Sequence, residues 1–262
     1  MRSLNRKLVR DLRHIWMQGL AIALVIGCGV AMYVMSLGTL DSLRETRTAY
    51  YERYRFADVF ASLKRAPRRL QDQIADIPGV ARVQTRVVAS VTLDVPGLAE
   101  PARGRLISVP EGREPALNKL HIRRGRGIAE GRKDEAVISE AFAEANGLAP
   151  GDRLAAVING RKRTLDIVGV ALSPEYIYSL GPGAIMPDDK RFGVIWVGRK
   201  MLAAAFDLEG SFNDVAVTVM PGVPEERVID RLDRLLAPYG GLGAYGRGDQ
   251  TCLLYTSDAA DE

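Results

Sequence analysis

Residues 15–40 read IWMQGLAIALVIGCGVAMYVMSLGTL, and this stretch contains no charged side chain. The hydrocarbon core of a bilayer is about 30 Å thick, and roughly 20 helical residues are needed to cross it. The run is long enough to cross even when the helix is tilted. We therefore predict a transmembrane helix over residues 15–40.

The residues in front of this helix predict its orientation. Asp11 is the only acidic residue among them, against the basic residues Arg2, Arg6, Lys7, Arg10 and Arg13. Lys and Arg are retained on the cytoplasmic side of a membrane. We therefore expect an anchor in the cell (inner) membrane, with the N-terminus in the cytoplasm and everything after Asp41 extracytoplasmic.

Both flanks of the membrane segment have helical composition. Residues 1–14 have the pattern of a basic helix that lies in the cytoplasmic interface with its leucines on one face. Residues 41–55 are interpreted as a stalk that continues the helix outward, with an ordinary surface helix as the alternative. The side chains expected to set the topology and contact membrane lipid are Arg6, Lys7, Arg10, Arg13 and Trp16.

Two other interpretations of the N-terminus are alternatives to an anchor. Gly29-Val30-Ala31 could be the cleavage site of a signal peptide, and Val25-Ile26-Gly27-Cys28 resembles the lipobox of a lipoprotein. Both require a polar start of the mature protein. The apolar character instead continues to Leu37, which favours an uncleaved helix.

One face of the predicted membrane helix carries small residues. Gly19, Ala23, Gly27 and Ala31 recur every four positions and form a stripe. Small residues allow two helix backbones to approach closely in a bilayer. Gly and Ala are also simply frequent in membrane helices. We expect the stripe to pack against a partner helix, either a further membrane helix or one from a second copy.

The exported region, residues 56–250, is predicted to be an α+β domain. A strand at 56–63 and a helix at 67–77 precede a period-two run at 83–95, which is one half-buried strand or two strands joined by a bend. A late strand and amphipathic helix repeat the early pair. We expect residues of about 56–100 and 205–250 to form one mixed α/β part.

The middle of the exported region has a different sequence pattern from its two ends. Ser139 and Gly147 are placed to cap a short helix between them. Asn159-Gly160 separates two apolar runs and is a strong signal for a β-hairpin. Short strands and frequent turns predict a β-rich insertion over about residues 101–204.

The exported region has no motif typical of catalysis. His121 is its only histidine, and its surroundings do not indicate a catalytic triad. Asp188-Asp189 could bind calcium, but a solvated turn is the better interpretation. No phosphate-binding loop is present. We expect no catalytic, cofactor-binding or metal-binding residue, and any ATPase activity must belong to another chain.

Cysteine content and charge exclude further classes. Cys28 and Cys252 are the only cysteines, so the exported part has no disulfide framework. The formal net charge is +4, but much of the excess lies beside the predicted membrane segment. We therefore expect no nucleic-acid partner.

The last residues are expected to be foreign to the protein. Residues 252–262 read CLLYTSDAADE, which resembles a translated sequencing adapter. We interpret 251–262 as a non-native tail and expect the native sequence to be interrupted near Thr251. The alternative is a natural acidic tail.

The order of motifs resembles that of a known family. Ile77-Pro78-Gly79-Val80 leads into the long period-two run, Ser139–Ala143 is followed by Gly147–Asp152, and Ile167–Val170 precedes Ser173-Pro174-Glu175-Tyr176. Together with the anchor and stalk, this order resembles an FtsX-like ABC transporter permease with a MacB-like periplasmic core domain. The resemblance covers almost all of residues 1–250.

The resemblance implies a function and partners. Such permeases have further membrane helices, dimerise, and pair with a cytoplasmic ATPase whose hydrolysis of ATP moves the external domain to expel or release a substrate. A periplasmic adaptor is a further partner to be expected. Two alternatives stay open: a membrane regulator of an extracytoplasmic cell-wall hydrolase, and a single-pass anchored binding domain without an ATPase.

Overall fold

The computed structural model describes residues 2–176 and 187–249, with side chains from residue 16 onward except that of Arg44. The tail predicted to be non-native, residues 251–262, lies outside the described residues. The chain divides into two compact units, Met1–Tyr50 and Tyr51–Glu262.

The first unit lies within a single long helix, α1 (Arg2–Arg53). From Trp16 onward this helix is long and apolar enough to cross a membrane. Its side chains from Trp16 to Leu43 are exposed, including Trp16, Val25 and Met32. The predicted apolar N-terminal helix is therefore confirmed, whereas the limits of an interfacial segment, a membrane segment and a stalk stay predictions.

The second unit contains two sheets. In chain order the strands are β1 (Val59–Pro67), β2 (Val80–Arg86), β3 (Val88–Asp94), β4 (Ala102–Val109), β5 (His121–Gly125), β6 (Glu135–Ser139), β7 (Arg153–Ile158), β8 (Arg161–Leu172), β9 (Phe192–Gly198), β10 (Ser211–Val219) and β11 (Gly241–Gly246). The helices are α2 (Leu70–Ala75), α3 (Glu140–Asn146), α4 (Arg199–Ala205) and α5 (Glu225–Leu236), with short 3₁₀ turns at Ala237–Tyr239 and Arg247–Asp249.

The first sheet is built by the two ends of the unit. Its order is β11-β1-β10-β2, and its neighbouring strands are antiparallel. The sequence β1-α2-β2 and β10-α5-β11 is that of a split βαβ fold with an insertion between β2 and β10. Leu70 and Ile74 of α2 and Val228 and Leu232 of α5 pack in one buried cluster with β1 and β10. Both helices therefore cover the same face of the sheet.

The inserted strands form the second sheet, whose order is β5-β8-β6-β9-β4-β3-β7. An additional antiparallel pairing between β7 and β8 closes six of these strands into a barrel. The turn of this hairpin has positive φ angles at Asn159 and Gly160, as the sequence predicts. The interior is filled by a single apolar cluster that includes Leu93, Leu106 and Phe142.

The predicted period-two run is two strands, β2 and β3, which belong to different sheets. The chain passes between the sheets at Val87, which is fully buried. Its amide donates to Ser108 Oγ at 2.8 Å, and its carbonyl accepts from the Ser108 amide at 2.9 Å. The sheets therefore change at Val87, whereas the sequence places the start of the insertion near residue 100.

The short helix α3 begins and ends where the sequence predicts, but one cap differs. Gly147 has a left-handed conformation and ends the helix. Ser139 makes no side-chain capping bond; its hydroxyl instead lies 3.4 Å from the amide of Val194. The predicted side-chain cap is wrong because the neighbouring strand β9 supplies another donor.

Glu135, at the start of β6, gives the barrel an acid-sensitive contact. Its carboxylate accepts two hydrogen bonds from Arg126, at 2.8 and 2.6 Å, and one from the Ala129 amide at 2.9 Å. The Arg126 bonds are the main reason that its pKa falls from 4.5 to about 2, against the opposing effect of burial. The contact organises the chain segment that leads into β6.

We expect Glu135→Gln to lower the free energy of unfolding at pH 7 by about 1 kcal/mol, since Arg126 is half exposed and solvent weakens the bond. The native pKa lies below the unfolded one, so the stabilisation is complete above about pH 4.5 and disappears as the pH falls towards 2. Urea unfolding at both pH values tests this. Glu144→Gln, which changes an exposed carboxylate, is the control. If Glu135→Gln lowers the free energy of unfolding as much at pH 2 as at pH 7, the effect does not come from the ionised Glu135 carboxylate.

Candidate functional site

The helix-free face of the first sheet carries a row of polar residues. The register pairs Asp214 of β10 with both Ser62 of β1 and Arg86 of β2, so their side chains share one face. Gln84 lies two residues before Arg86 and therefore on the same face. This face meets the inserted part of the chain, because Gln84 Oε1 accepts a hydrogen bond of 2.6 Å from the Leu117 amide.

Arg86 is the centre of this contact and is only 3% exposed. Its Nε donates to Asp214 Oδ1 at 2.7 Å. Its two terminal nitrogens donate to the two carboxylate oxygens of Glu175, one of them at 2.8 Å. The guanidinium also lies 6.0 Å from the ring centre of Phe60. We call Arg86, Asp214, Glu175 and Asn118 the ionic junction.

The protonation states at the ionic junction follow from its burial. Burial alone lowers the pKa of the Arg86 guanidinium, but the charges of Asp214 and Glu175 outweigh it and raise that pKa well above its ordinary value. Burial raises the pKa of Asp214, and the Arg86 charge opposes this only in part. Arg105 supplies a second positive charge that also lowers the pKa of Asp214. Asp214 therefore lies in the field of two guanidinium groups.

Asn118 links the ionic junction to the chain that leaves α1. Its Nδ2 donates to Glu175 Oε2 at 2.7 Å, and its Oδ1 accepts from the Ala57 amide at 2.9 Å. Its own amide donates to the Arg55 carbonyl at 2.9 Å. Asn118 has a φ of 50°, a left-handed conformation that asparagine tolerates better than most residues. One side chain thus joins the start of the first sheet to the inserted part.

A second set of contacts fixes the same chain segment from its other side. Arg247 Nε donates to the Ala57 carbonyl at 3.0 Å, and its guanidinium also pairs with Asp58. The guanidinium lies 5.2 Å from the ring centre of Tyr51 and 5.0 Å from that of Phe56. The segment 51–58 is therefore held by the residue that follows β11 and by the insertion.

These contacts form a joint between the first sheet and the insertion. Arg86 and its two carboxylate partners bond to each other, and the Ser62 hydroxyl on the same face lies 3.5 Å from Asp214 Oδ2. Among residues 2–176 and 187–249, no group of three His, Cys, Asp or Glu side chains could hold a metal ion. The arrangement connects segment 51–58 both to the first sheet and to the insertion.

The residues singled out in the sequence do not meet at this joint. Gly19, Ala23, Gly27 and Ala31 are exposed along α1. Among the described residues, and apart from the neighbouring backbone of α1 itself, no atom lies within 4 Å of the place that a β-carbon would take at Gly19 or Gly27. Arg6, Lys7, Arg10 and Arg13 lie in α1, in the part whose side chains are not described. Trp16 is 58% exposed. Helix packing and lipid contact therefore stay predictions.

The two residues considered for chemistry have ordinary surroundings. His121 begins β5, and its ring lies 5.4 Å from that of Tyr54. Asp188 accepts hydrogen bonds from the amides of Lys190 and Arg191 at 3.2 Å and so closes a turn. Neither residue belongs to the ionic junction.

Sequence reasoning missed the ionic junction. Arg86 is separated from Asp214 by 128 positions and from Glu175 by 89. The one available signal was Glu175, which the motif Ser173-Pro174-Glu175-Tyr176 contains. Nothing local marks Arg86 as buried, since it occupies the polar row of its strand.

The fold and the joint define a class of protein: a membrane-anchored α/β domain in which a split βαβ sheet carries an inserted barrel and is fixed to it by buried charges. The chain belongs to the family of MacB-like periplasmic core domains, because the sequence pattern of that family matches residues 20–235. This family forms the periplasmic domain of ABC-type transporter permeases. The resemblance predicted from the sequence is thereby confirmed.

Three solved structures are similar to this chain. The extracellular domain of the noncanonic ABC-type transporter YknZ from Gram-positive bacteria is 15% identical, with a TM-score of 0.45, over 72% of this chain and 98% of that one. The periplasmic region of MacB from Actinobacillus actinomycetemcomitans is 11% identical, with a TM-score of 0.45, over 78% and 95%. A domain of a putative permease protein from Porphyromonas gingivalis is 15% identical, with a TM-score of 0.42, over 73% and 90%. No match is found among proteins of curated function.

Proposed function

We propose that this chain is part of an ABC transporter permease in the cell (inner) membrane and couples ATP hydrolysis in the cytoplasm to movement of an extracytoplasmic domain. The N-terminus lies in the cytoplasm, and the domain from segment 51–58 onward lies outside. ATP is hydrolysed by a separate ABC ATPase chain. The movement exports or releases a substrate.

The observation that carries this proposal is the membership of residues 20–235 in the family of MacB-like periplasmic core domains. The ionic junction supports the coupling step. Because Asn118 bonds both to the Arg55 carbonyl and to Glu175, segment 51–58 cannot shift without pulling on the insertion. An element that transmits force needs such contacts at its entry to the domain.

The proposed assembly has further members. The basic N-terminal segment and Trp16 contact membrane lipid, and a second permease copy or further membrane helices pack on the small-residue stripe. A periplasmic adaptor binds the external domain.

Purification of the tagged chain from native membranes tests this proposal. We expect a cytoplasmic ABC ATPase to copurify and to hydrolyse ATP in a vanadate-sensitive way. Copurification of a cell-wall hydrolase together with the ATPase would favour the regulatory alternative. Recovery of the chain without any ATPase would contradict the proposal and favour a single-pass anchored binding domain.

The small-residue stripe gives a separate prediction. We expect Gly19→Leu combined with Gly27→Leu to weaken helix association at least tenfold, about 1.4 kcal/mol, because the bulky side chains hold the backbones apart. Energy transfer between labelled copies in nanodiscs measures the association. Ala21→Leu combined with Gly29→Leu adds similar bulk, one methylene less, on the opposite face and is the matched control. Equal effects of the two pairs would show that the stripe is not an interface.

A further inference from the structure

A groove of about 640 Å³ lies between the first sheet and the barrel, and no residue of the ionic junction lines it. The first sheet contributes the turn after β1 and the start of β10, and the barrel contributes α4 and the segment before β6. The groove is strongly basic: Glu111 and Glu209 are its only acidic residues among the described ones. Its basic residues are Arg68, Arg132, Lys133, Arg163, Arg199 and Lys200.

Most of this positive charge is not neutralised by the protein. Within the described residues, no carboxylate oxygen lies within 4 Å of the charged nitrogens of Arg68, Lys133, Arg163 or Arg199. Glu111 is already engaged, since it accepts a hydrogen bond of 3.0 Å from the Lys200 amide and lies 3.6 Å from the Lys200 ammonium. Like charges gathered in a concave, partly buried space raise each other's energy, and a bound anion removes that cost.

Arg199 is the best positioned of these cations. Its guanidinium donates to the carbonyl of Thr85 and lies 3.3 Å from the Thr85 hydroxyl and 3.4 Å from the Ser211 carbonyl. Those contacts fix the group without cancelling its charge. Burial, and then the positive charge of Arg68, lower the pKa of Arg199. Arg68 and Arg199 both line the groove, so their guanidinium groups face the same space.

The floor of the groove is apolar. Met201, Ala203 and Leu208 line it and are at least nine-tenths buried. Arginine binds carboxylate and phosphate groups through paired hydrogen bonds. A ligand that fits both parts needs an anionic head and an apolar body.

We infer that the groove binds a small amphiphilic anion, whose phosphate or carboxylate group contacts Arg68 and Arg199 and whose apolar part lies on Met201 and Leu208. This site goes beyond the proposed coupling function and does not depend on it. It requires neither ATP nor a partner chain.

Isothermal titration with hexyl phosphate tests the inference on the full chain in phosphatidylcholine nanodiscs, with empty nanodiscs as the blank. We expect hexyl phosphate to bind at least tenfold more tightly than inorganic phosphate, which lacks the apolar part, and than hexanol, which lacks the charge. Equal affinity for hexyl phosphate and either comparison compound would overturn the inference.

Variants locate the binding. Arg68→Gln changes an exposed side chain and is expected to weaken hexyl phosphate binding at least tenfold, whereas Arg69→Gln removes the same charge one residue outside the groove and should leave it unchanged. Adding Arg199→Gln to Arg68→Gln is expected to abolish binding. If Arg68→Gln and Arg69→Gln bind hexyl phosphate equally, the inference is wrong. Because no ATPase is present in this experiment, its failure would leave the coupling proposal untouched.

Discussion

Replacing Phe142 by alanine is expected to lower the free energy of unfolding by about 3–5 kcal/mol, the usual cost of removing a large aromatic side chain from a core. Phe142 lies in α3, is fully buried, and fills the barrel interior. Its removal leaves a cavity that the strands of a closed barrel cannot easily collapse into.

Two glycines in the barrel strands leave space for large side chains, one of which is the Phe142 ring. Gly193 of β9 lies opposite Gly104 of β4 in the register of the two parallel strands. A β-carbon at Gly193 would lie 2.8 Å from Cγ of Phe142, and one at Gly104 would lie 2.8 Å from Cδ1 of Leu93. Both glycines therefore make room for a neighbouring large side chain. We expect Gly193→Ala to lower the free energy of unfolding by about 1–3 kcal/mol, because the added methyl group overpacks the barrel interior.

Urea unfolding of the full chain in nanodiscs measures both effects. The chain has two tryptophans, so a Trp16→Phe background leaves Trp196, which is buried against Tyr176, as the reporter of the barrel. Combining Gly193→Ala with Phe142→Leu should cost less than the sum of the two single changes, since the smaller side chain makes space for the added methyl group. Strict additivity would show that the two residues do not share this space.

The parts of the fold that could be predicted are those with local signals. The uncharged run 15–40 predicts the long apolar helix, because a helix that crosses a bilayer must avoid charged side chains at every position. Period-two alternation marks β2, β3 and β10, and Asn159-Gly160 marks the hairpin of β7 and β8. Each of these signals lies within a few residues of the structure that it predicts.

The closure of the barrel has no such signal. The parallel pairings of β4 with β9 and of β6 with β8 join segments that are distant along the chain. Parallel strands are buried on both faces, so they lose the alternation that would reveal their orientation. β9, for example, is buried at every position. The sequence indicates a β-rich insertion but not a barrel.

The ionic junction could not be predicted from the sequence either, because its partners are also distant along the chain. Alternation along β2 places Arg86 in a polar row, which is ordinarily a solvated face. The insertion covers that face, and the covering residues Asn118 and Glu175 come from two separate segments of it. Whether a charged residue is buried depends on the assembled fold. The burial of Arg86 can be recognised only when the residues that cover and neutralise it are known.

Replacing Arg86 by methionine is expected to lower the free energy of unfolding by about 3–5 kcal/mol, the cost of breaking a buried ion pair by removing one partner. Methionine retains much of the packing volume. It leaves Asp214 and Glu175 facing each other without the guanidinium that both now contact. Arg82→Met on the same strand changes an exposed side chain and should cost less than about 0.5 kcal/mol.

The pH dependence and a triple variant separate the charge effect from packing. Burial raises the pKa of Asp214, and in the Arg86→Met protein the opposing charge of Arg86 is gone, so Asp214 binds a proton more readily than in the unfolded chain and stability should fall as the pH rises from 5 to 7. Adding Asp214→Asn and Glu175→Gln removes both charges and should recover more than half of the lost stability. If the triple variant is as unstable as Arg86→Met at both pH values, the arginine acts through packing alone. Recovery would mean that the cost of Arg86→Met comes from carboxylates left buried without their guanidinium partner, and not from lost packing.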